Sequence, residues 1–395
     1  MPPILRAAAC HVAPVFLSAK ATTEKCISLI QKAARARANL VVFPESFIAA
    51  FPVWSSLRPP TANHNLYKRM VAESTHIDGP ELAAIRATAK QNNMLVSLGL
   101  SEKARYSSGT LFNSNVLIGS DGEVLIHHRK LMPTFFEKLT WSPGDGHGLR
   151  VADTPFGRIG NLICGENTNP LARYALMAQG EQVHISTWPA VWPTRVPSSA
   201  TPPTAAGTMT HSNSEELAAS VPGQSSSTRE SNYDNVAANR TRAAAHCFEA
   251  KCFGILNSGF LDASAIEIIA QGASDAEVVT RALEQSPRGA SMFLDPTGAI
   301  LPAFTVDSAG SMKRQTGDFL QHEEGILYAD MDMEECIEGK QYHDVVGGYQ
   351  RFDVFELKVN RTRREPAVFA DQMHEAKAKD KSDAYEESFG RRAGI

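Results

Sequence analysis

The chain has 395 residues, 43% of them hydrophobic, so it can bury a large core in one α/β domain or two smaller ones. Its formal net charge of −4 leaves no basic stripe for nucleic acid, and no window holds the ~18 consecutive apolar residues that a membrane span requires; a small neutral partner fits better. Six cysteines, at positions 10, 26, 164, 247, 252 and 336, form no CxxC pair and no closely spaced framework, which predicts free thiols in a reducing compartment and hence a cytoplasmic location.

Ile4 to His11 lacks the basic start and unbroken apolar run of a leader and reads as a first strand. Residues 22 to 38 read as a helix capped by Thr22-Thr23-Glu24, with Ile27, Ile30 and Ala34 on one face, leading into the apolar run Leu40 to Phe43. Residues 78 to 93 repeat the scheme, with Asp78 as cap and Leu82, Ile85 and Ala89 on one face, before the strand Met94 to Leu100. Asn115 to Ile126 reads as two strands around an Asp121-Gly122 turn, and a similar hairpin recurs at Met292 to Leu301, suggesting two related strand-rich halves. The strand Arg158 to Cys164, a helix from Asn169 to Gln179 and the strand Val183 to Trp188 follow. From about 196 to 232 the composition shifts to Ser, Thr, Pro, Ala and Gly, which predicts a surface insertion; helical spacing resumes at Val236 to Lys251, before the strand Phe253 to Leu256. A catalytic domain over 1–365 and a polar tail over 366–395 complete the expected organisation.

Three polar residues follow three separate apolar runs: Glu45, Lys130 and Cys164. In α/β sheets, ligands sit beyond the carboxyl ends of strands, so residues so placed can converge from distant parts of the chain. A thiol nucleophile needs an electropositive neighbour or an adjacent base, and an ammonium with a carboxylate can supply both. Taken singly each residue has a plainer reading: free cysteine is among the most buried residue types, and a lone Lys or Glu is more often a solvated charge.

Phe43-Pro44-Glu45-Ser46-Phe47, His128-Arg129-Lys130-Leu131-Met132-Pro133-Thr134 and Cys164-Gly165-Glu166-Asn167 together resemble, in order and spacing, the three signatures of the nitrilase superfamily. The resemblance runs to about residue 360 apart from the insertion and is closest to the nitrilase branch. It implies a single-domain, four-layer αββα sandwich with a Glu45, Lys130 and Cys164 catalytic set, Glu137 as an additional carboxylate, no metal and no organic cofactor. It also implies a homo-oligomer built from dimers. The expected reaction is hydrolysis of an organic nitrile to carboxylic acid and ammonia, with an amidase or amide-forming hydratase as the alternative and a non-catalytic oligomer behind them. Phe51, Trp188, Glu166 and Asn167 are the expected substrate contacts, and Phe47, Trp54 and Trp192 are further candidates for an apolar pocket suited to an aryl group.

The residues also weigh against other chemistry. His127 and His128 are adjacent, so on a strand they face opposite sides and cannot chelate one metal together. A Cys-His enzyme would need an imidazole beside Cys164, for which His184 and His246 are the distant candidates. Three departures from the family pattern stand out: Gly165 where many nitrilases carry Trp, Ser142-Pro143 within Trp141 to Gly146, and Gly348 before Tyr349. The latter two are expected to affect loops or subunit contacts more than chemistry.

Overall fold

The computed structural model describes residues 4–195, 234–306 and 314–367, and the chain divides into one unit over Met1–Arg361 and a second over Thr362–Ile395. The first unit carries everything described below; the 196–232 insertion and nearly all of the 366–395 tail lie outside the described residues. Its strands begin with β1 (Leu5–His11), β2 (Leu40–Val42), β3 (Leu95–Lys103), β4 (Leu111–Ile118), β5 (Val124–Arg129), β6 (Ala152–Thr154) and β7 (Gly157–Ile163). They continue with β8 (Val183–Trp188), β9 (Phe253–Ser258), β10 (Ser291–Leu294), β11 (Ala303–Val306), β12 (Arg314–Gly317), β13 (Phe319–Leu320) and β14 (Gly325–Met331). An eight-stranded sheet has the order β12-β11-β14-β1-β2-β3-β4-β5, and a six-stranded sheet the order β13-β10-β9-β8-β7-β6.

Alternation along the strands decides the layering. Ala7, Ala9, Leu40, Val42 and Leu95 from the first sheet meet Ile159, Val183, Ile185, Phe253 and Ile255 from the second, forming the core between them. The intervening Ala8, Cys10, Val41 and Val96 face the other way, onto helices α1 (Ala19–Arg35) and, past the short α2 (Trp54–Leu57) and α3 (His64–Glu73), α4 (Pro80–Gln91). Helices α5 (Pro170–Met177) and α6 (Asn235–Ala250) cover the outer face of the second sheet. The order is helix, sheet, sheet, helix, an α/β sandwich as expected. Together α2, α3, α7 (Ala263–Ala270) and α8 (Ala276–Gln285) form an apolar cluster of their own, with Trp54, Met70, Ile269 and Leu283 at its centre.

Both sheets contain the same run: an antiparallel neighbour, three parallel strands, then another antiparallel strand. In the first it is β14, β1, β2, β3, β4; in the second, β6, β7, β8, β9, β10. The Met292 to Leu301 hairpin is reduced to one bridge, Leu294 to Ile300, across a turn with Gly298 at φ +81°. The two helix caps read from the sequence are corrected. The first helix starts at Ala19, and its buried face runs through Cys26, Ile30 and Ala33, one residue round from Ile27 and Ala34. In α4, Gly79 takes the capping position before Pro80, and Asp78 pairs with Arg105 instead.

Candidate active site

Strands β2 and β3 are parallel, while β4 and β5 each reverse direction, so β2 and β5 point the same way and present Glu45 and Lys130 beyond the same edge of the first sheet. Cys164 follows β7 of the second sheet immediately. One oxygen each of Glu45 and Glu137 and the Cys164 sulfur lie within 4.8 Å of one another. Glu45, Lys130 and Glu137 are at most 3% exposed and Cys164 is 6% exposed, so the expected set is brought together away from bulk water.

The ammonium of Lys130 fills the space between the carboxylates. Its Nζ donates to Glu45 Oε1 at 2.8 Å and to both Glu137 oxygens at 2.9 and 2.7 Å. Asn113 Nδ2, from β4, donates to the same Glu45 Oε1 at 2.8 Å, whereas Glu45 Oε2 is buried with no partner. A buried acceptor left bare inside a filled network is costly, and it is also the atom free to take a proton. Glu137 is set by the 3-10 turn Phe135–Leu139, where its side chain accepts from the Thr134 N–H at 2.9 Å in a reciprocal capping box.

Charge balance fixes the protonation states. Burial, with Glu45's charge added, pushes the Cys164 thiol well above its ordinary value against the pull of Lys130, so the sulfur rests as a thiol. Burial alone would discharge Lys130, but the acidic groups around it hold its ammonium well above the usual range. Burial and the neighbouring Glu45 raise the Glu137 carboxyl to about 7 despite Lys130. Glu137 thus carries a proton part of the time near neutrality. The arrangement offers a neutral nucleophile, an unpartnered base and a fixed cation.

Backbone strain concentrates here. Ser46, Phe135 and Cys164 all have left-handed φ, at 46°, 50° and 51°. The Cys164 turn brings the sulfur out at the end of β7 and costs roughly 1–2 kcal/mol for a residue bearing a Cβ. Gly99 on β3 makes room for the glutamate: a Cβ there would lie 2.1 Å from the Pro44 carbonyl oxygen and 2.7 Å from the Ser46 nitrogen. Gly165 has a similar local reason, because an added Cβ would meet Thr134 Oγ1 at 2.5 Å. The Thr134 side chain that caps the Glu137 turn occupies the space a larger residue would need.

Glu166 and Asn167, expected to touch substrate, are turned inward. Glu166 accepts from the Leu131 and Ile163 N–H groups at 2.6 and 2.8 Å and meets His128 Nε2 at 2.9 Å, tying the Lys130 loop to the Cys164 turn. Asn167 Nδ2 donates to the Cys164 carbonyl at 3.0 Å. Trp188 is buried beside Cys164 in the core under α6, with Arg242 4.6 Å over its ring. Trp54 packs on Phe16, and Trp192 stacks on Phe136 at 4.3 Å. Phe51 and Phe47 line a pocket that includes Glu45, Phe16, Val191 and Leu261. His127 and His128 do separate, to Glu102 and Glu166. His184 and His246 reach Glu181 at 2.9 and 2.6 Å, and neither has a hydrogen bond to the thiol. The Trp141 to Gly146 segment bears on the site more than expected: Gly144 N–H donates to the Lys130 carbonyl at 2.8 Å. Gly348 is exposed.

Comparison with known proteins gives the family. A family model described as carbon-nitrogen hydrolase matches residues 6–341. The chain belongs to the carbon-nitrogen hydrolase family. It is 31% identical over 359 residues to an arylacetonitrilase of Hypocrea virens, covering 91% of this chain and 92% of that one. A nitrilase of Paraburkholderia phymatum is 29% identical over 367 residues, covering 92% and 89%. Among solved structures, a carbon-nitrogen hydrolase from Helicobacter pylori superposes with a TM-score of 0.55 at 18% identity, covering 86% of this chain and 93% of that one. The C. elegans NitFhit protein gives 0.58 at 17% identity, covering 92% and 69%. These structural likenesses show the shared fold.

As a carbon-nitrogen hydrolase, the chain acts on C–N bonds, and among its described residues no helix is long and apolar enough to cross a membrane. Sequence reading missed Asn113, Gly99 and Thr134. For Asn113 a signal existed: Asn113, Ser114 and Asn115 are all buried in the middle of an otherwise apolar strand. Polar groups so placed need partners, and one of those partners is Glu45.

Proposed function

We propose that this chain is a nitrilase converting an organic nitrile to a carboxylic acid and ammonia, with Cys164 as nucleophile, Glu45 as general base and Lys130 as the cation that stabilises negative nitrogen. The observation that carries this reading is the division of labour on Glu45: Oε1 is held by Lys130 and Asn113 while Oε2 is bare. A thiol that rests protonated needs such a base at the moment of attack. Glu45 takes the thiol proton as Sγ bonds to the nitrile carbon, and the proton passes to nitrogen, giving a thioimidate. Lys130 is already in place for the charge that develops on nitrogen. Water, deprotonated by Glu45, adds to the carbon; the amine leaves as ammonia and a thioester remains. A second water releases the acid and returns the proton to sulfur. Glu137 holds Lys130 and buffers its charge.

The apolar wall formed by Phe16, Phe47, Phe51, Val191 and Leu261 beside Glu45 favours an aryl or arylalkyl side chain. The test is ammonia release from aliphatic, aryl and arylacetonitriles and their amides, comparing wild type with Cys164→Ala. Expected is turnover of aromatic nitriles to acid that the variant lacks. Ammonia from amides alone would make the enzyme an amidase, amide as the main product a hydratase, and turnover by the variant would remove Cys164 as nucleophile.

The same reading extends to assembly and location. Leu171 on α5 and Phe248 on α6 are 62% and 44% exposed on the helices covering the second sheet, a face suited to a second copy of the chain. Leu171→Glu with Phe248→Glu is expected to halve the sedimenting mass; an unchanged mass would move the dimer contact elsewhere. All six cysteines are buried and unbridged, which favours the cytoplasm.

A further inference from the structure

A second buried polar cluster abuts the nucleophile turn and takes no part in the chemistry above. Asn167, Glu181, His184 and His246 are each no more than 1% exposed. Asn167 Nδ2 donates to the Cys164 carbonyl at 3.0 Å and lies 3.4 Å from the Leu162 carbonyl. Carbonyl oxygens only accept, so the amide nitrogen must face them and Oδ1 must face His184 Nε2, 2.8 Å away. His184 Nε2 therefore bears a hydrogen. Its Nδ1 lies 2.9 Å from Glu181 Oε1, and His246 Nε2 lies 2.6 Å from Glu181 Oε2. Burial raises the Glu181 carboxyl, but the two imidazoles outweigh it and bring it down to about 2. The Glu181 carboxyl thus faces both imidazoles, holding His184 at Nδ1 while Nε2 donates to Asn167.

His246 completes the balance. Burial and the neighbouring His184, with Arg173 adding to the effect, hold its imidazole down to about 4, and its Nδ1 is buried without a partner. The two rings stack at 3.6 Å, a separation at which two like charges would repel strongly.

We propose that Glu181, His184 and Asn167 form a buried positioning relay: His184, anchored by Glu181 at Nδ1, donates from Nε2 and fixes the Asn167 amide, which clasps the backbone carbonyls of Leu162 and Cys164 and holds the left-handed nucleophile turn. The proposal rests on the reading of Cys164 as nucleophile, and none of its three members touches substrate.

Two measurements on the full chain test it. Nitrogen NMR of histidine-labelled protein at neutral pH, assigned with His184→Gln, is expected to give a hydrogen on His184 Nε2. A bare His184 Nε2 would overturn the relay, whatever the substrate. In kinetics, His184→Leu and Asn167→Leu are each expected to lower kcat ~100-fold with KM within ~3-fold, the size expected when a reacting atom is misplaced. The double variant should be no worse than Asn167→Leu alone. His184→Gln, which can still donate to Asn167, should recover at least ~10-fold of the loss. Additive losses, a change confined to KM, or equal losses from Gln and Leu would overturn it. Turnover surviving in Cys164→Ala would instead sink the functional reading, while the NMR result would still decide the proton state.

Discussion

Lys130→Met is expected to abolish turnover and to destabilise the fold by about 3–5 kcal/mol, the cost of breaking a buried ion pair from one side. In the native protein, three carboxylate oxygens lie 2.7 to 2.9 Å from this one ammonium, all of them buried. Removing it leaves Glu45 and Glu137 facing each other without a counter-charge. Glu137, already raised to about 7, must then keep its proton, and its folded pKa rises further above the unfolded carboxylate value of ~4.3. A raised carboxyl binds more protons in the folded state than in the unfolded one. Its stabilisation is complete below the unfolded value and is lost as pH rises through the folded one. Urea unfolding of Lys130→Met should therefore approach wild type near pH 5 and fall well below it near pH 8. Equal stability at the higher pH would mean that the ammonium does not hold the carboxylates together.

Glu45→Gln separates chemistry from architecture. Glutamine keeps an oxygen for Lys130 and Asn113 but offers no base where Glu45 Oε2 now stands bare. We expect kcat to fall ~10²- to 10⁴-fold, the usual contribution of a positioned general base, with the melting temperature little changed. The pH profile carries a second signature. Glu137 is raised to about 7 by burial and by Glu45's charge, and the neutral variant removes the second of these. Its carboxyl therefore moves down, and any residual activity that depends on ionised Glu137 extends to lower pH. A kcat within ~3-fold of wild type would take the base role away from Glu45, and an acid limb that stays put would show that Glu45's charge does not raise Glu137.

How far the sequence exposed this site depended on the kind of signal each residue left. Glu45, Lys130 and Cys164 each follow an apolar run, and strand direction turns that position into convergence at one edge. Asn113 left the opposite signal: its amide interrupts the hydrophobic pattern, so the pattern reading started that strand at Asn115 although the strand begins at Leu111. The buried face of α1 is made partly of Ala, Thr and Cys, small residues that an apolar count underweights, which is why the larger Ile27 drew the expected face one position round. The inward turn of Glu166 and Asn167 has no local signature. Both are polar residues next to a nucleophile, and only the loops packed around them decide whether they face ligand or backbone.

The repeated strand pattern has a consequence for when this molecule becomes an enzyme. Glu45, Lys130 and Glu137 belong to the first sheet and the loops leaving it, whereas Cys164 belongs to the second. Each repeat can complete its own hydrogen-bond ladder without assembling the reacting groups. Turnover requires the seam between the sheets to be closed, so during refolding it is expected to return no earlier than the spectroscopic signal of strand and helix. Regain of turnover on this fold reports that seam.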